Sequence, residues 1–228
     1  MLPMDEKIRH AVQEIDLEPP ALLRHSVLNA VKTTSIRRKK KRPLLISAMI
    51  AALLLPSSAL AYNHTLADDL YGSFEQIKKR VTYFTMDSYF LVNVKLSAAK
   101  GELGDSEYED FKGMLQKITT AKMKYGDKYG NIDYDLLPHH KVQELKGVYM
   151  DIQPFFDSLN HEQSSKSLLS QADYEQYIDA LMLHEKILVK NKINPSDRYK
   201  IADINAVDQV AFEYAEHIID TVNERISH

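Results

Sequence analysis

Arg37, Arg38, Lys39, Lys40, Lys41 and Arg42 are six consecutive cations, and the next twenty residues, Pro43 to Tyr62 (PLLISAMIAALLLPSSALAY), carry no charge. This junction constrains the chain more than any other stretch. Twenty helical residues at about 1.5 Å each cover roughly the 30 Å core of a bilayer. Cations directly ahead of an apolar run stay on the cytoplasmic side, so 1–42 is expected inside and 63–228 outside. The dense apolar part, Leu44 to Leu55, is followed by Pro56, Ser57, Ser58 and then Ala59-Leu60-Ala61. That order also fits a secretory h-region with cleavage near Ala61, and a buried soluble helix is a third reading. Forty-two residues make a long n-region, and a buried helix leaves six adjoining cations unexplained. The expectation adopted is an uncleaved, single-pass signal-anchor over 43–62, with a cytoplasmic N-terminus and an extracellular C-terminal domain.

Charge divides at the same place. Residues 1–42 hold ten Lys or Arg against five Asp or Glu, and 63–228 hold nineteen against twenty-seven. A basic inside and an acidic outside is a topology signal rather than a nucleic-acid signal, and no direct nucleic-acid contact is expected. Each cation near the anionic inner leaflet contributes about 1 kcal/mol to holding that side in place. There are no cysteines. Disulfides, thiolate zinc sites and cysteine nucleophiles are therefore excluded, and the outer domain must rest on its own core.

Within 1–42, residues 5–17 read as a short amphipathic helix with Ile8, Val12 and Ile15 on one face. Pro19-Pro20 ends it, and a second helix begins near Pro20 with Leu22, Leu23, Val27, Leu28 and Val31 along its stripe. Two short helices enclose no core. Either this is a disordered tail carrying a sorting signal, or both stripes order on a cytoplasmic partner; the regular stripes favour the second, with Ile8, Val12, Ile15, Leu22, Leu23, Val27, Leu28 and Val31 as the partner-binding residues.

Beyond Tyr62 the pattern is helical to the end, so the fold class is all-α: one N-terminal transmembrane helix and then an extracytoplasmic multi-helix domain. Leu66 to Val81 is expected as one helix. Tyr83 to Lys100 is mixed, because Tyr89, Phe90, Val92 and Val94 alternate as a strand would, but helix is favoured and Gly101 and Gly104 end it. Ser106 to Lys124 is a helix, Tyr125 to Pro138 a loop, and His139 to Leu159 a helix that Pro154 kinks or splits. Asn160 to Lys166 is a polar loop, Ser170 to Lys190 a helix, Asn194-Pro195-Ser196 a turn, and Ile204 to Ile226 the last helix. SEYEDF at 106–111 is echoed by ADYEQY at 172–177, with Leu115 and Leu181 at the same offset. Two similar helix starts explain this, as does duplication of a hairpin.

Reactive chemistry is sparse. His140 and Glu144 are four apart, as metal ligands on one helix face are, but no third ligand is placed and a surface pair with His139 is the simpler reading. Asn131, Asp133 and Asp135 alternate like the start of a calcium loop. The glycine that loop needs at its sixth position is Leu136, and the glutamate at its twelfth is Val142, which rejects an EF-hand. No spacing assembles a nucleophile with a base. Neither an enzyme nor a cofactor or metal site is expected.

The layout resembles the single-span anti-sigma factors, or negative effectors, of extracytoplasmic-function sigma factors in spore-forming Gram-positive bacteria. The likeness rests on EKIRHAVQEIDLEPPALLRHSVLNAVK, the RRKKKR stop, the single span, and GELGDSEYEDFKGMLQKI and YGDKYGNIDYDLLP in the exported part. It implies that 1–42 holds a sigma factor at the membrane and that an outside ligand or a protease releases it. Many members use a zinc-binding H-x-x-x-C-x-x-C helix, which a cysteine-free chain lacks. The alternative is an anchored surface domain that binds envelope polymer or ligand without a sigma partner.

Overall fold

In the computed structural model of this chain, residues 66–227 are described, and they form an all-α domain. The first expected helix is two. α1 (Leu66–Tyr71) stops at Gly72, whose φ of +77° suits glycine, and its N–H closes on Asp68 O at 2.7 Å. Ser73 then caps α2 (Phe74–Arg80), its hydroxyl accepting from Gln76 N at 3.2 Å. The apolar steps continue across the break, so periodicity hid it while Gly72-Ser73 announced it.

α3 (Met86–Tyr125) covers the two helices expected over 83–100 and 106–124. Its single non-helical residue is Gly104, at φ +75° and ψ 171°, so the limbs are 86–103 and 105–125. No strand forms at Tyr89 to Val94: Tyr89, Val92, Leu96 and Ala99 are buried at steps of three and four, a helical face. Beyond the break Tyr108, Phe111, Leu115 and Ile118 repeat that spacing. α1 lies against α3 and touches both limbs. Tyr89 Oη donates to Asp68, and Ala67 N donates to Asn93 Oδ1 at 3.4 Å; past the break, Gln116 Nε2 donates to Asp69 O at 3.0 Å.

α4 (His139–Leu159) passes through Pro154 unsplit. A proline has no N–H to give the carbonyl four residues back, which here is Met150. Tyr174 Oη, from a different helix, donates to Met150 O at 2.6 Å and takes that place. The expected polar loop, Asn160 to Lys166, gives way at Ser165 to a further short helix, α5 (Ser165–Leu168). α6 (Gln171–Lys190) and α7 (Ala206–Ile226) follow their expected spans closely.

The core runs along these helices. In α4 it takes Leu145, Tyr149, Ile152, Phe156 and Leu159; in α6 it takes Tyr174, Tyr177, Ile178 and Leu181. Burying each such side chain contributes roughly 1.5–3 kcal/mol. A smaller cluster, Ile187, Leu188, Ile204 and Phe212, joins the end of α6 to the start of α7. The echoed segments bury equivalent positions: Tyr108 with Tyr174, Phe111 with Tyr177, Leu115 with Leu181. The apolar stripe expected for the last helix, Val207, Val210, Ala211, Tyr214, Ile218, Ile219 and Val222, is only partly the buried one. Phe212, Ala215, Ile219, Val222 and Ile226 face the core, while Val207, Val210 and Tyr214 face solvent.

Candidate functional site

A deeply buried ion pair joins two helices of the described domain. Lys122, on the second limb of α3, meets Glu185 of α6, and neither side chain is more than 4% exposed. Around it, Ile132 N donates to Glu185 Oε1 at 3.0 Å, Tyr134 Oη donates to Oε2 at 2.7 Å, and Lys122 Nζ reaches Gly130 O at 3.3 Å. Tyr149 Oη stands 3.1 Å from Tyr134 Oη. Burial first, then the Glu185 carboxylate, holds both phenols well above their ordinary range, so they stay protonated. A single carboxylate thus ties α3, the 126–138 loop, α4 and α6 together.

The loop is shaped to reach it. Asp127 Oδ1 accepts from Tyr129 N and Asn131 N at 2.9 and 3.0 Å, and Gly126 pairs with Ile132 as a lone bridge. Asn131 is buried, and neither polar atom of its side chain has a hydrogen-bond partner. Each such group costs about 1–3 kcal/mol. Asp133 accepts from Asp135 N at 3.1 Å, and Asp135 pairs outward with Lys186 and Lys190. Those two lysines lower the Asp135 pKa. The three residues with calcium-like alternation therefore have three separate duties.

A second buried carboxylate, Asp157, has no cation among its hydrogen-bonding partners. It accepts from Ser165 N at 2.7 Å, Ser165 Oγ at 2.6 Å and Gln153 Nε2 at 2.9 Å, and so anchors α5 to α4. Burial raises its pKa. His184, beside Glu185 in sequence, points the other way. It lies 4.9 Å from the Phe212 ring centre and 3.2 Å from Tyr199 Oη, and burial lowers its pKa to about 4.

Both sealed clusters brace helices rather than face solvent. An open groove of about 310 Å³ runs along α6, with Glu175, Gln176, Asp179 and Leu183 on its walls and Tyr214 of α7 at its side. Gln176 Nε2 donates to Tyr214 Oη at 2.7 Å across it.

Of the residues singled out in the sequence, His139 and His140 are exposed, and Glu144 pairs with Lys141 at 2.5 Å. Among the described residues no group of three or more His, Cys, Asp or Glu could hold a metal ion. The expected partner-binding residues Ile8, Val12, Ile15, Leu22, Leu23, Val27, Leu28 and Val31 lie outside the described residues, as do the expected span 43–62 and Ala61. Among the described residues no helix is long and apolar enough to cross a membrane. Lys122, Glu185 and Asp157 were not singled out. A Lys and a Glu inside otherwise apolar helical stripes were the available signal, but their partners lie far off in sequence.

The class defined by this architecture is an all-α domain with a braced interior. Residues 64–225 match the family described as "Domain of unknown function (DUF3600)", and the chain belongs to that family. No curated protein matches the chain.

Proposed function

We propose that this protein is a membrane-anchored negative regulator of an extracytoplasmic-function sigma factor, and not an enzyme. Residues 1–42 hold the sigma factor in the cytoplasm through Ile8, Val12, Ile15, Leu22, Leu23, Val27, Leu28 and Val31. That apolar cover keeps a helical surface of the sigma factor from core polymerase. Residues 43–62 cross the membrane, and 63–228 form the outer domain. One span transmits a simple push poorly, so cleavage near Ala61 or rearrangement of a dimer releases the sigma factor.

The observation that carries this reading is the order of charge: six cations, twenty uncharged residues, then an acidic helical domain. The family match begins at residue 64, just past Tyr62, which supports treating the first sixty-two residues as a separate inside part and anchor. Val12→Asp combined with Val27→Asp in the full chain tests it. Sigma-dependent transcription in the host should rise roughly tenfold or more, since two buried apolar contacts are worth over about 1.4 kcal/mol. A sigma factor that co-purifies with the native chain should be lost. Unchanged transcription with no sigma factor recovered would leave the surface-domain reading instead. Protease treatment of intact cells should digest 63–228; a protected domain sinks the topology.

A further inference from the structure

α7 carries two apolar stripes, and the core uses one. Val207, Val210 and Tyr214, at spacings of three and four, are 92%, 77% and 51% exposed. They share one face of the helix. A valine gains nothing from water, and two of them beside a tyrosine on one ridge form a local apolar patch. Tyr214 also walls the α6–α7 groove, so ridge and groove are continuous.

Charge around this surface is mostly negative, with Lys146 on Asp179 and Arg225 near the end of α7 as the cations. On the α6 side stand Glu175 and Asp179, the latter shared with Lys146 at 2.8 Å. On the far side of the ridge, α7 presents Glu213, Asp220 and Glu224. Within α7 there are five carboxylates against one arginine. A second copy of this face would bring like charges together, and an anionic polymer would be repelled. An apolar stripe with carboxylates on both flanks complements a helix that is apolar on one face and cationic along its edges.

We infer that the α6–α7 face is a docking surface for a cationic amphipathic helix, whose apolar side covers Val207, Val210 and Tyr214 and whose lysines or arginines meet Glu175 and Glu213. The inference stands on this face alone and does not depend on the sigma-factor reading.

The test uses the full chain in phosphatidylcholine nanodiscs, with empty nanodiscs as the blank. The probe is a fluorescent peptide of about eighteen residues, roughly five helical turns, built from Leu and Lys as an amphipathic helix. A Leu/Glu version and a scrambled Leu/Lys version are the controls. The Leu/Lys helix should bind, and its affinity should fall several-fold between about 50 and 300 mM salt. Val207→Ser with Val210→Ser should weaken binding roughly tenfold or more, since each change takes two methyl groups out of the contact. Val207→Leu with Val210→Leu should keep it, and Glu175→Lys with Glu213→Lys should abolish it. Because the altered side chains are exposed or edge residues, thermal melting should not move. Equal binding by all variants, equal binding of the scrambled peptide, or binding of the Leu/Glu peptide overturns the proposal. So does sedimentation showing a dimer that the serine variant alone dissociates, since the face would then be covered by its own copy.

Discussion

Glu185 and Asp157 are both carboxylates inside the same domain, and they are accommodated by opposite means. Glu185 has a lysine, a backbone N–H and a phenol. Asp157 has a backbone N–H, a hydroxyl and an amide, all neutral. With a counter-ion, the carboxylate binds distant helices; α3 and α6 meet at it across sixty-three residues of sequence. With neutral donors only, burial raises the pKa, and the reach is local, from α4 to α5. The difference teaches where each region is vulnerable: the first to loss of a partner, the second to loss of donors.

The sharpest way to break the comparison is Lys122→Met. It leaves Glu185 buried and unpaired, and should destabilise the protein by about 3–5 kcal/mol, or roughly ten degrees in thermal melting for a domain of this size. Lys122→Met with Glu185→Met should recover most of that loss, because no lone charge remains; a double variant as unstable as the single one would show that the pair is not the cause.

The next effect is His184 and pH. Its folded pKa, about 4, lies below the unfolded value of 6.5. The unfolded chain therefore takes up the proton first. The stabilisation is fully present above pH 6.5 and is lost as pH falls toward 4, by up to about 3 kcal/mol. Denaturant titrations between pH 7 and 4 should show this slope, and His184→Phe should lose it. Asp157 has the opposite sign: its raised folded pKa means the folded chain binds the proton first, so acidification toward 3.8 favours folding there. A His184→Phe protein that still weakens steeply from pH 6.5 to 4 would contradict both assignments.

Asp157→Ala comes third, at about 2 kcal/mol, since three donors lose their acceptor while a poorly solvated carboxyl group is removed. Hydrogen exchange should localise the loss to α5. The smallest effect is Tyr174→Phe, about 1 kcal/mol, from leaving Met150 O unpartnered. In a Pro154→Ala background the restored N–H should reclaim that carbonyl, and the same change should cost less. Equal costs in both backgrounds would separate Tyr174 from the proline.

The helices were legible because their apolar steps are regular: Tyr108 to Ile118, Leu145 to Leu159 and Tyr174 to Leu181 all bury the faces their spacing implies. Gly104 was legible as a stop, whereas Gly101, read as a stop with it, lies inside the first limb in helical conformation. Gly72-Ser73 was passed over because apolar steps bridge it, and Pro154 read as a possible break because the phenol that compensates it lies on another helix. Lys122 and Glu185 were invisible as a pair, since periodicity reports a face and never its partner. In α7 the expected stripe ran through Val207, Val210 and Tyr214 and left out Phe212 and Ala215, because the apolar residues there fill two overlapping stripes and spacing alone does not say which one meets the core.

α1 holds hydrogen bonds to Tyr89 and Asn93 on one limb of α3 and to Gln116 on the other. It is also the first described element after residue 65. Tension applied through the preceding chain is therefore borne by a single short helix that straddles the Gly104 elbow. Peeling that latch away would break the three hydrogen bonds that bridge the two arms while the Glu185 knot, further along, stayed tied.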